Sequence, residues 1–346
     1  MTATLRDYLP RLIRRENLSR DEARQFLGAL LDDEATDAQI AASLVALSAK
    51  GETVEELAGM AEDMRTRAVR VKSRHKVFID TAGTGSSTAK TFNISTAAAF
   101  VIAGAGLPVA KHGNRAASSR SGSADVLSAL GVNVNVPTDV TEKCLNEIEI
   151  CFMFAPLYHG ATKRVAGIRR ELGIHTTFNL LGPLCNPAAA PRQIIGVWRR
   201  DYVEPMAQAL AALGTDHAWV VHGEDGLDEI TVATRTFVAE AKGETVRKFE
   251  IEPKLFGLWR GSLEQLRGGD AEDNAKIIRE VLSGKRRDEA RALVIANAAA
   301  ALFVGGLISD EKQAAEAAEE SIGSGAARKK LDQLVEATND NIFGVR

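Results

Sequence analysis

Val77-Phe78-Ile79-Asp80-Thr81-Ala82-Gly83-Thr84-Gly85 is the stretch that decides the fold, because the helical periodicity of the chain gives way there to short β-prone runs. The run over 77–80 reads as a strand closed by a glycine-containing turn. A small-residue helix over 95–106 follows, then a strand-like run at 107–110, a helix over 124–130 and another strand-like run at 150–154. Farther on, 194–197 and 218–221 read as buried strands separated by a helix over 202–213. Strands alternating with helices predict a mainly parallel sheet covered by helices on both faces. From Ala271 the pattern is mostly helical again, with alanine-rich stretches at 296–301 and 314–318. The Pro/Gly cluster from Gly182 to Pro191 reads as a shaped loop.

Upstream of Val77 the pattern is helical only. Leu5, Leu9, Leu12 and Ile13 mark an apolar stripe at helical spacing. Ser19 with Glu22, Thr36 with Gln39 and Thr53 with Glu56 each set a hydroxyl three residues before a long polar side chain, the pattern of a capping box at a helix start. Gly51 stands where the third helix should stop. The expectation is an α/β protein: a small all-helical domain over 1–66 and a larger domain over 77–346, with a mainly parallel sheet flanked by helices.

Composition narrows the function. The 346 residues hold 43 basic and 46 acidic side chains, a formal charge of −3. Interspersed charges so nearly balanced give no electrostatic footprint for nucleic acid. Cys144, Cys151 and Cys185 are odd in number and form no C-x-x-C pair, which argues against a disulfide framework or a zinc site and for a reducing cytoplasm. The first fifteen residues carry charges every few positions and no apolar core of a secretory signal. The longest apolar runs, 97–110 and 298–308, are too short to span a bilayer. A soluble, cytoplasmic protein with neither a nucleic-acid nor a membrane partner is expected.

Four segments carry chemistry. Asp80 to Ser87 holds glycines that let the backbone approach a ligand, ahead of a helix whose free N–H groups suit an anion; the same residues would also make a simple tight strand exit. Thr91-Phe92-Asn93-Ile94-Ser95-Thr96 opens the small-residue helix with hydroxyl and amide groups suited to phosphate oxygens or magnesium, or to plain N-capping. Lys111-His112-Gly113-Asn114-Arg115-Ala116-Ala117-Ser118-Ser119, running on to Ser121-Gly122-Ser123, follows the next strand. It should therefore lie at the same carboxyl edge of the sheet, where ligands of open α/β sheets bind. Its two cations and many donors suit a polyanion. His222-Gly223-Glu224-Asp225-Gly226-Leu227-Asp228-Glu229 packs four carboxylates into six residues, which repel unless a cation such as phosphate-bound magnesium is near, or else form an exposed acidic turn. No G-x-x-x-x-G-K-[ST] occurs, and Thr88 breaks a G-x-G-x-x-G reading.

With TFNIST, KHGNRAASS and its trailing SGSAD, FNLLGPLCNP and VHGEDGLDE in this order, the chain resembles the anthranilate phosphoribosyltransferase family over nearly its whole length, to about Thr338. The resemblance implies the nucleoside phosphorylase/phosphoribosyltransferase fold class, with an active site between a helical and an α/β domain. It also implies a segment near 160–175 that rejoins the helical domain, and a homodimer built through the helical domains. It implies that phosphoribosyl pyrophosphate is held by Gly83, Ser86, Ser87, Thr91, Asn93, Ile94, Ser95, Thr96, Lys111, Ser119 and Ser123. Anthranilate would meet Gly83, Asn114 and Arg169, with Gly182-Pro183 along its path and His112 near its ring. Magnesium is the implied cofactor, served by Ser95, Asp228 and Glu229, and Lys111 and His112 are the implied catalytic pair. One departure is visible: the family usually reads GTGGDG where this chain has Gly83-Thr84-Gly85-Ser86-Ser87-Thr88, so a glycine and a carboxylate are replaced by serines and a further glycine by threonine. The competing readings are a pyrimidine nucleoside phosphorylase-like enzyme and a non-catalytic paralogue that binds nucleic acid or a partner protein. The Asn114–Arg169 pair, suited to an aromatic carboxylate, disfavours the first. Near-neutral charge and the Asp228-Glu229 pair disfavour the second.

Overall fold

Four short helices open the chain: Leu5–Ile13, Arg20–Leu31, Asp37–Lys50 and Val54–Arg67. The last three begin at the expected hydroxyls. Ser19, Thr36 and Thr53 accept from the backbone N–H three residues on, while Glu22, Gln39 and Glu56 reach back to the cap N–H. Each such cap stabilises its helix by about 1 kcal/mol. Gly51, at φ 86°, ends the third helix in a conformation that disfavours a side chain. The apolar stripe of the first helix is corrected at one position. Leu5, Tyr8 and Leu12 are buried, whereas Ile13 is 69% exposed, because a 3.6-residue period turns it away from the other three. The computed structural model describes residues 3–85, 89, 91–116, 120–264 and 266–339.

Seven strands form one sheet: β1 Ile79–Gly83, β2 Val109–Gly113, β3 Ile150–Phe154, β4 Arg192–Gly196, β5 His217–Gly223, β6 Thr236–Lys242 and β7 Thr245–Ile251, in the order β3-β2-β1-β4-β5-β6-β7. The first five in that order run parallel, and β6 and β7 complete the edge as an antiparallel hairpin. That hairpin goes beyond the five strand-like runs legible in the sequence. β3 falls at its expected residues, but β1 and β2 begin two residues later than the apolar runs at 77–80 and 107–110. Pairing decides the boundary: Ile79 is the first residue in register with both Val109 and Arg192, and Val77 is 40% exposed. The shift matters for chemistry, because it moves Thr81, Lys111 and His112 out of loops and into strands. Gly182 and Pro183 likewise do not belong to a loop; they finish the helix Thr177–Leu184.

Side chains alternate across a strand, and the two faces build two cores. Ile79, Val109, Ile194, Trp219, Val221 and Val238 face the helices Ile94–Gly104, Ser123–Ala129, Ala271–Leu282 and Glu289–Val304. Ile195, Val197, Ala218, Val220, Ala239 and Ala241 face the helices Val203–Ala212 and Thr177–Leu184. That second core continues without a break into Leu44, Leu57 and Met60 of the N-terminal helices and into Val165 and Ile168 of the helix Lys163–Leu172. Polar ties reinforce it: Arg65 Nε donates to the Leu184 carbonyl at 2.7 Å, Arg20 Nη2 to the Ala212 carbonyl at 2.9 Å, and Ser48 Oγ to the His175 carbonyl at 3.2 Å. Among the described residues, no helix is long and apolar enough to cross a membrane.

Candidate functional site

Successive residues of β2 point to opposite faces of the sheet, so Lys111 and His112 serve different surroundings. Lys111 lies on the face of the helix Ile94–Gly104 and is 4% exposed. Its Nζ donates to the Thr81 carbonyl, and stands 3.3 Å from both Thr81 Oγ1 and Ser95 Oγ. Burial pulls the Lys111 pKa down, opposed by the carboxylates of Asp80 and Glu229. Ser95 also donates its backbone N–H to Glu229 Oε1 at 3.1 Å, which ties the helix start to the acidic loop. Burial and the neighbouring Asp228 carboxylate push the Glu229 carboxyl up to about 8, against Lys111 and Ser95. Asp228 lies beside Gly83, where a Cβ would come within 3.8 Å of its Oδ2.

The four carboxylates of the acidic loop are therefore sorted. Glu224 pairs with Arg235 at 2.8 Å, and Asp225 accepts from the Thr231 hydroxyl at 2.5 Å and from the Leu227 N–H at 3.2 Å. Asp228 and Glu229 turn to the ends of β1 and of the helix Ile94–Gly104. Gly196, the last residue of β4, makes this possible: a Cβ there would sit 1.6 Å from the Asp228 carbonyl oxygen. Nothing in the sequence distinguishes this glycine from the other 28.

The remaining phosphate-suited residues cluster near the same edge. Asn93 caps the helix start. Its Nδ2 donates to the Ser121 carbonyl at 3.3 Å, and its Oδ1 accepts from Asn274 Nδ2 at 3.1 Å. Ile94 and Thr96 are buried, and Thr96 Oγ1 has no hydrogen-bond partner. Thr91 bridges to Arg267 in an antiparallel step. Ser123 begins the helix Ser123–Ala129 and donates to the Asn114 carbonyl at 3.3 Å. Asp125 fixes this turn by accepting the N–H groups of Ala116 and Gly122, each at 3.0 Å, and by pairing with Arg115 at 2.9 Å. Gly122 is required here, since a Cβ would lie 2.4 Å from the Ala116 nitrogen. Ser86, Ser87 and Ser119 lie outside the described residues.

His112 belongs to the other face. Its backbone N–H donates to Asp80 Oδ1 at 3.1 Å, and Asp80 Oδ2 accepts from Asn186 Nδ2 at 2.7 Å. Asn186 also donates to the Ala110 carbonyl at 2.9 Å, so one buried amide ties the loop after the helix Thr177–Leu184 to two strands. Burial, with His159 and Lys111 near, holds the His112 imidazole at about 3, against a hydrogen bond with the Gly182 backbone. His159 has its ring centroid 5.2 Å from that of His112, and burial holds it at about 4. The Nε2 atoms of both rings are buried without a partner. Both rings are neutral at neutral pH. His159, Asn186 and Asn274 carry no local signal in the sequence, since His112, Asp80 and Asn93, which they meet, are remote from them along the chain.

Arg169 projects from the helix Lys163–Leu172. Its Nη2 donates to Asn179 Oδ1 at 3.0 Å and its guanidinium lies 5.4 Å from the centroid of the Phe178 ring. Its Nε is buried and unpartnered, and burial lowers its pKa to about 10. A guanidinium with an open buried donor beside an aromatic ring suits a planar carboxylate. On the Lys111 face, Ser95, Asp228 and Glu229 offer oxygen donors only, which fits a hard cation such as magnesium. Among the described residues, no cluster of three or more His, Cys, Asp or Glu is placed to hold a metal. Two carboxylates are enough for a magnesium ion that arrives with phosphates.

Residues 75–328 match the family model described as glycosyl transferase family, a/b domain, and residues 6–68 match the helical bundle domain of the glycosyl transferase family. The anthranilate phosphoribosyltransferase of Anaeromyxobacter dehalogenans (strain 2CP-C) is 54% identical over 330 residues, covering 95% of this chain and 97% of the relative. The crystal structure of anthranilate phosphoribosyltransferase from Thermus thermophilus is similar with a TM-score of 0.90 at 39% identity, over 96% of this chain and 100% of that one. The Saccharomyces cerevisiae enzyme in complex with phosphoribosyl pyrophosphate and magnesium is similar with a TM-score of 0.88 at 28% identity, over 96% and 97% of the two chains.

Proposed function

Since the chain belongs to the anthranilate phosphoribosyltransferase family, we propose a division of its site residues between the two substrates of that reaction. The reaction transfers the ribosyl phosphate of phosphoribosyl pyrophosphate to the amine of anthranilate and releases pyrophosphate, a step of tryptophan biosynthesis. The observation that carries the division is the convergence of Lys111, Ser95 and Glu229, from three distant segments, on one side of the β1–β2 edge. Arg169 and the two neutral histidines take the other side.

Phosphoribosyl pyrophosphate lies on the Lys111 side, held by Gly83, Thr91, Asn93, Ile94, Ser95, Thr96, Lys111 and Ser123, with Ser86, Ser87 and Ser119 completing the set. The positive end of the helix Ile94–Gly104 faces the same anion. Asp228, Glu229 and Ser95 hold magnesium, the metal present with phosphoribosyl pyrophosphate in the yeast complex. Bound there, magnesium neutralises charge on the departing pyrophosphate. Lys111 adds a fixed cation to the same oxygens as the bond from the anomeric carbon breaks and positive charge builds on the ribose ring.

Arg169 binds the carboxylate of anthranilate and Asn114 and Gly83 flank it, while Gly182-Pro183 lines its path. The aromatic amine is uncharged at neutral pH, so it attacks without prior deprotonation, and position counts for more than basicity. His112, with its neutral ring and open Nε2, orients the acceptor at the reacting edge; His159 frames it from behind. Arg169→Ala is expected to raise the KM for anthranilate by roughly 10- to 100-fold, the loss of a hydrogen bond to a charged group. The KM for phosphoribosyl pyrophosphate should stay within about twofold of wild type, given the separation of the two faces. Steady-state kinetics with each substrate varied checks this, and equal losses for both substrates would remove the assignment.

The helical unit over 1–66, rejoined by the segment near 160–175, and the α/β unit over 77–346 form the two walls of this site. Arg164 Nη2 paired with Asp37 at 2.7 Å supports the rejoining. A homodimer built through the helical unit is supported by Ile13 and Val45, which remain 69% and 41% exposed there. Light scattering on the purified chain tests it. A cytoplasmic location is supported by three buried, free cysteines. The reaction itself is tested by loss of anthranilate fluorescence on mixing with phosphoribosyl pyrophosphate. Rapid loss that needs magnesium and stops with excess chelator is expected. No loss from folded protein that still binds phosphoribosyl pyrophosphate would assign a different acceptor amine.

A further inference from the structure

The helix Glu289–Val304 is almost wholly apolar where it faces the sheet, apart from one residue. Asn297 sits among Ala296, Ala298 and Ala299 and is 3% exposed. Its Oδ1 accepts the backbone N–H of Ile230 at 3.0 Å, and its Nδ2 donates to the Ile230 carbonyl at 2.9 Å. The second Nδ2 hydrogen goes to the Leu293 carbonyl, one helical turn back, at 2.9 Å. One primary amide thus satisfies both backbone polar groups of a single residue, as a paired strand would. That residue follows Glu229 directly. Its side chain is 1% exposed in the same core, so it is held by packing as well as by hydrogen bonds.

We propose that Asn297 is a positioning residue that fixes Asp228 and Glu229 in their metal-facing geometry by clamping the backbone at Ile230. The inference rests on the reading that these two carboxylates hold magnesium. A buried amide in a wall of alanines is costly unless every hydrogen bond is made, and all three are spent on main-chain groups. Two of the three go to the exit of the acidic loop. Asp225 holds the loop at its turn, the Gly196–Asp228 backbone contact lies beneath it, Glu229 accepts from the Ser95 N–H, and Asn297 holds its end. Of these, the clamp alone bonds both main-chain groups of the residue after Glu229. The helix Glu289–Val304 also packs on the helix Ile94–Gly104, which carries Ser95, so both sides of the metal position share one rigid support.

The test uses Asn297→Ala in the intact chain, with Thr338→Ala as a destabilised variant far from the loop. Thr338 makes comparable buried contacts, accepting from the Asn133 N–H at 3.1 Å and donating to the Leu334 carbonyl at 2.8 Å. Calorimetric binding of phosphoribosyl pyrophosphate across a series of magnesium concentrations should show half-saturating magnesium raised about tenfold in Asn297→Ala. The KM for anthranilate should change by less than about twofold, and Thr338→Ala should bind magnesium as the wild type does. A lowered Tm with unchanged half-saturating magnesium would reduce Asn297 to a folding role and overturn the proposal. If Asn297→Ala does not fold, Asn297→Ser is read by the same criterion. Glu229→Gln in parallel separates the two failures: if it leaves the magnesium dependence unchanged, the metal assignment has failed. If Glu229→Gln shifts that dependence and the Asn297 variants do not, the clamp alone has failed.

Discussion

Asp228→Asn combined with Glu229→Gln is expected to lower kcat/KM by roughly 10³-fold and to abolish the response to magnesium. The amides keep the volume of the carboxylates, so the loop should fold as before. What disappears is the negative charge proposed to draw a divalent cation to the end of β1. In the free protein burial, and after it the Asp228 carboxylate, push the Glu229 carboxyl up to about 8. A cation bound at this point would displace that proton and be held by the carboxylate left behind, which a neutral amide cannot supply. Initial rates over a magnesium series, with thermal unfolding to confirm the fold, decide the matter. A double variant with wild-type magnesium dependence would place the metal elsewhere.

Lys111→Met should cost roughly 10²- to 10³-fold in kcat, the usual loss when one preorganised electrostatic contact to a leaving group is removed. Methionine fills nearly the same buried channel between Thr81 and Ser95 but carries no charge. The KM for anthranilate should stay within about twofold, because Arg169 and His112 lie across the strand. Single-turnover measurements at saturating substrates separate the chemical step from binding. A variant that loses affinity for phosphoribosyl pyrophosphate but keeps kcat would make Lys111 a binding group only.

Much of this was legible in the sequence, and the reasons differ by element. The capping boxes at Ser19, Thr36 and Thr53 were readable because both partners lie within four residues. The parallel sheet was readable because its strands are short apolar runs between helices. The hairpin of β6 and β7 was not, since Thr245–Ile251 is charged and half exposed, without the apolar character of the other strands. Strand ends at Ile79 and Val109 depend on pairing with neighbours far along the chain, which no local run records. For the site, Lys111, Ser95 and the Asp228-Glu229 pair stood out as clustered polar groups. Asn186, Asn274 and Asn297 did not. Asn186 and Asn297 act on the backbone of distant segments and Asn274 on the side chain of Asn93, and a lone asparagine gives no sign of which segment it meets.

The alternation of Lys111 and His112 along β2 has an evolutionary reading. On the proposed division of the site, neighbouring codons supply the handling of the sugar phosphate donor and the cradle for its acceptor, with a strand's thickness between them. A change that reshapes the His112 side, or the Arg169 helix beyond it, alters which aromatic amine is accepted and leaves the leaving-group apparatus intact. Selection can therefore retune the acceptor one residue at a time while the costlier half of the chemistry is inherited unchanged.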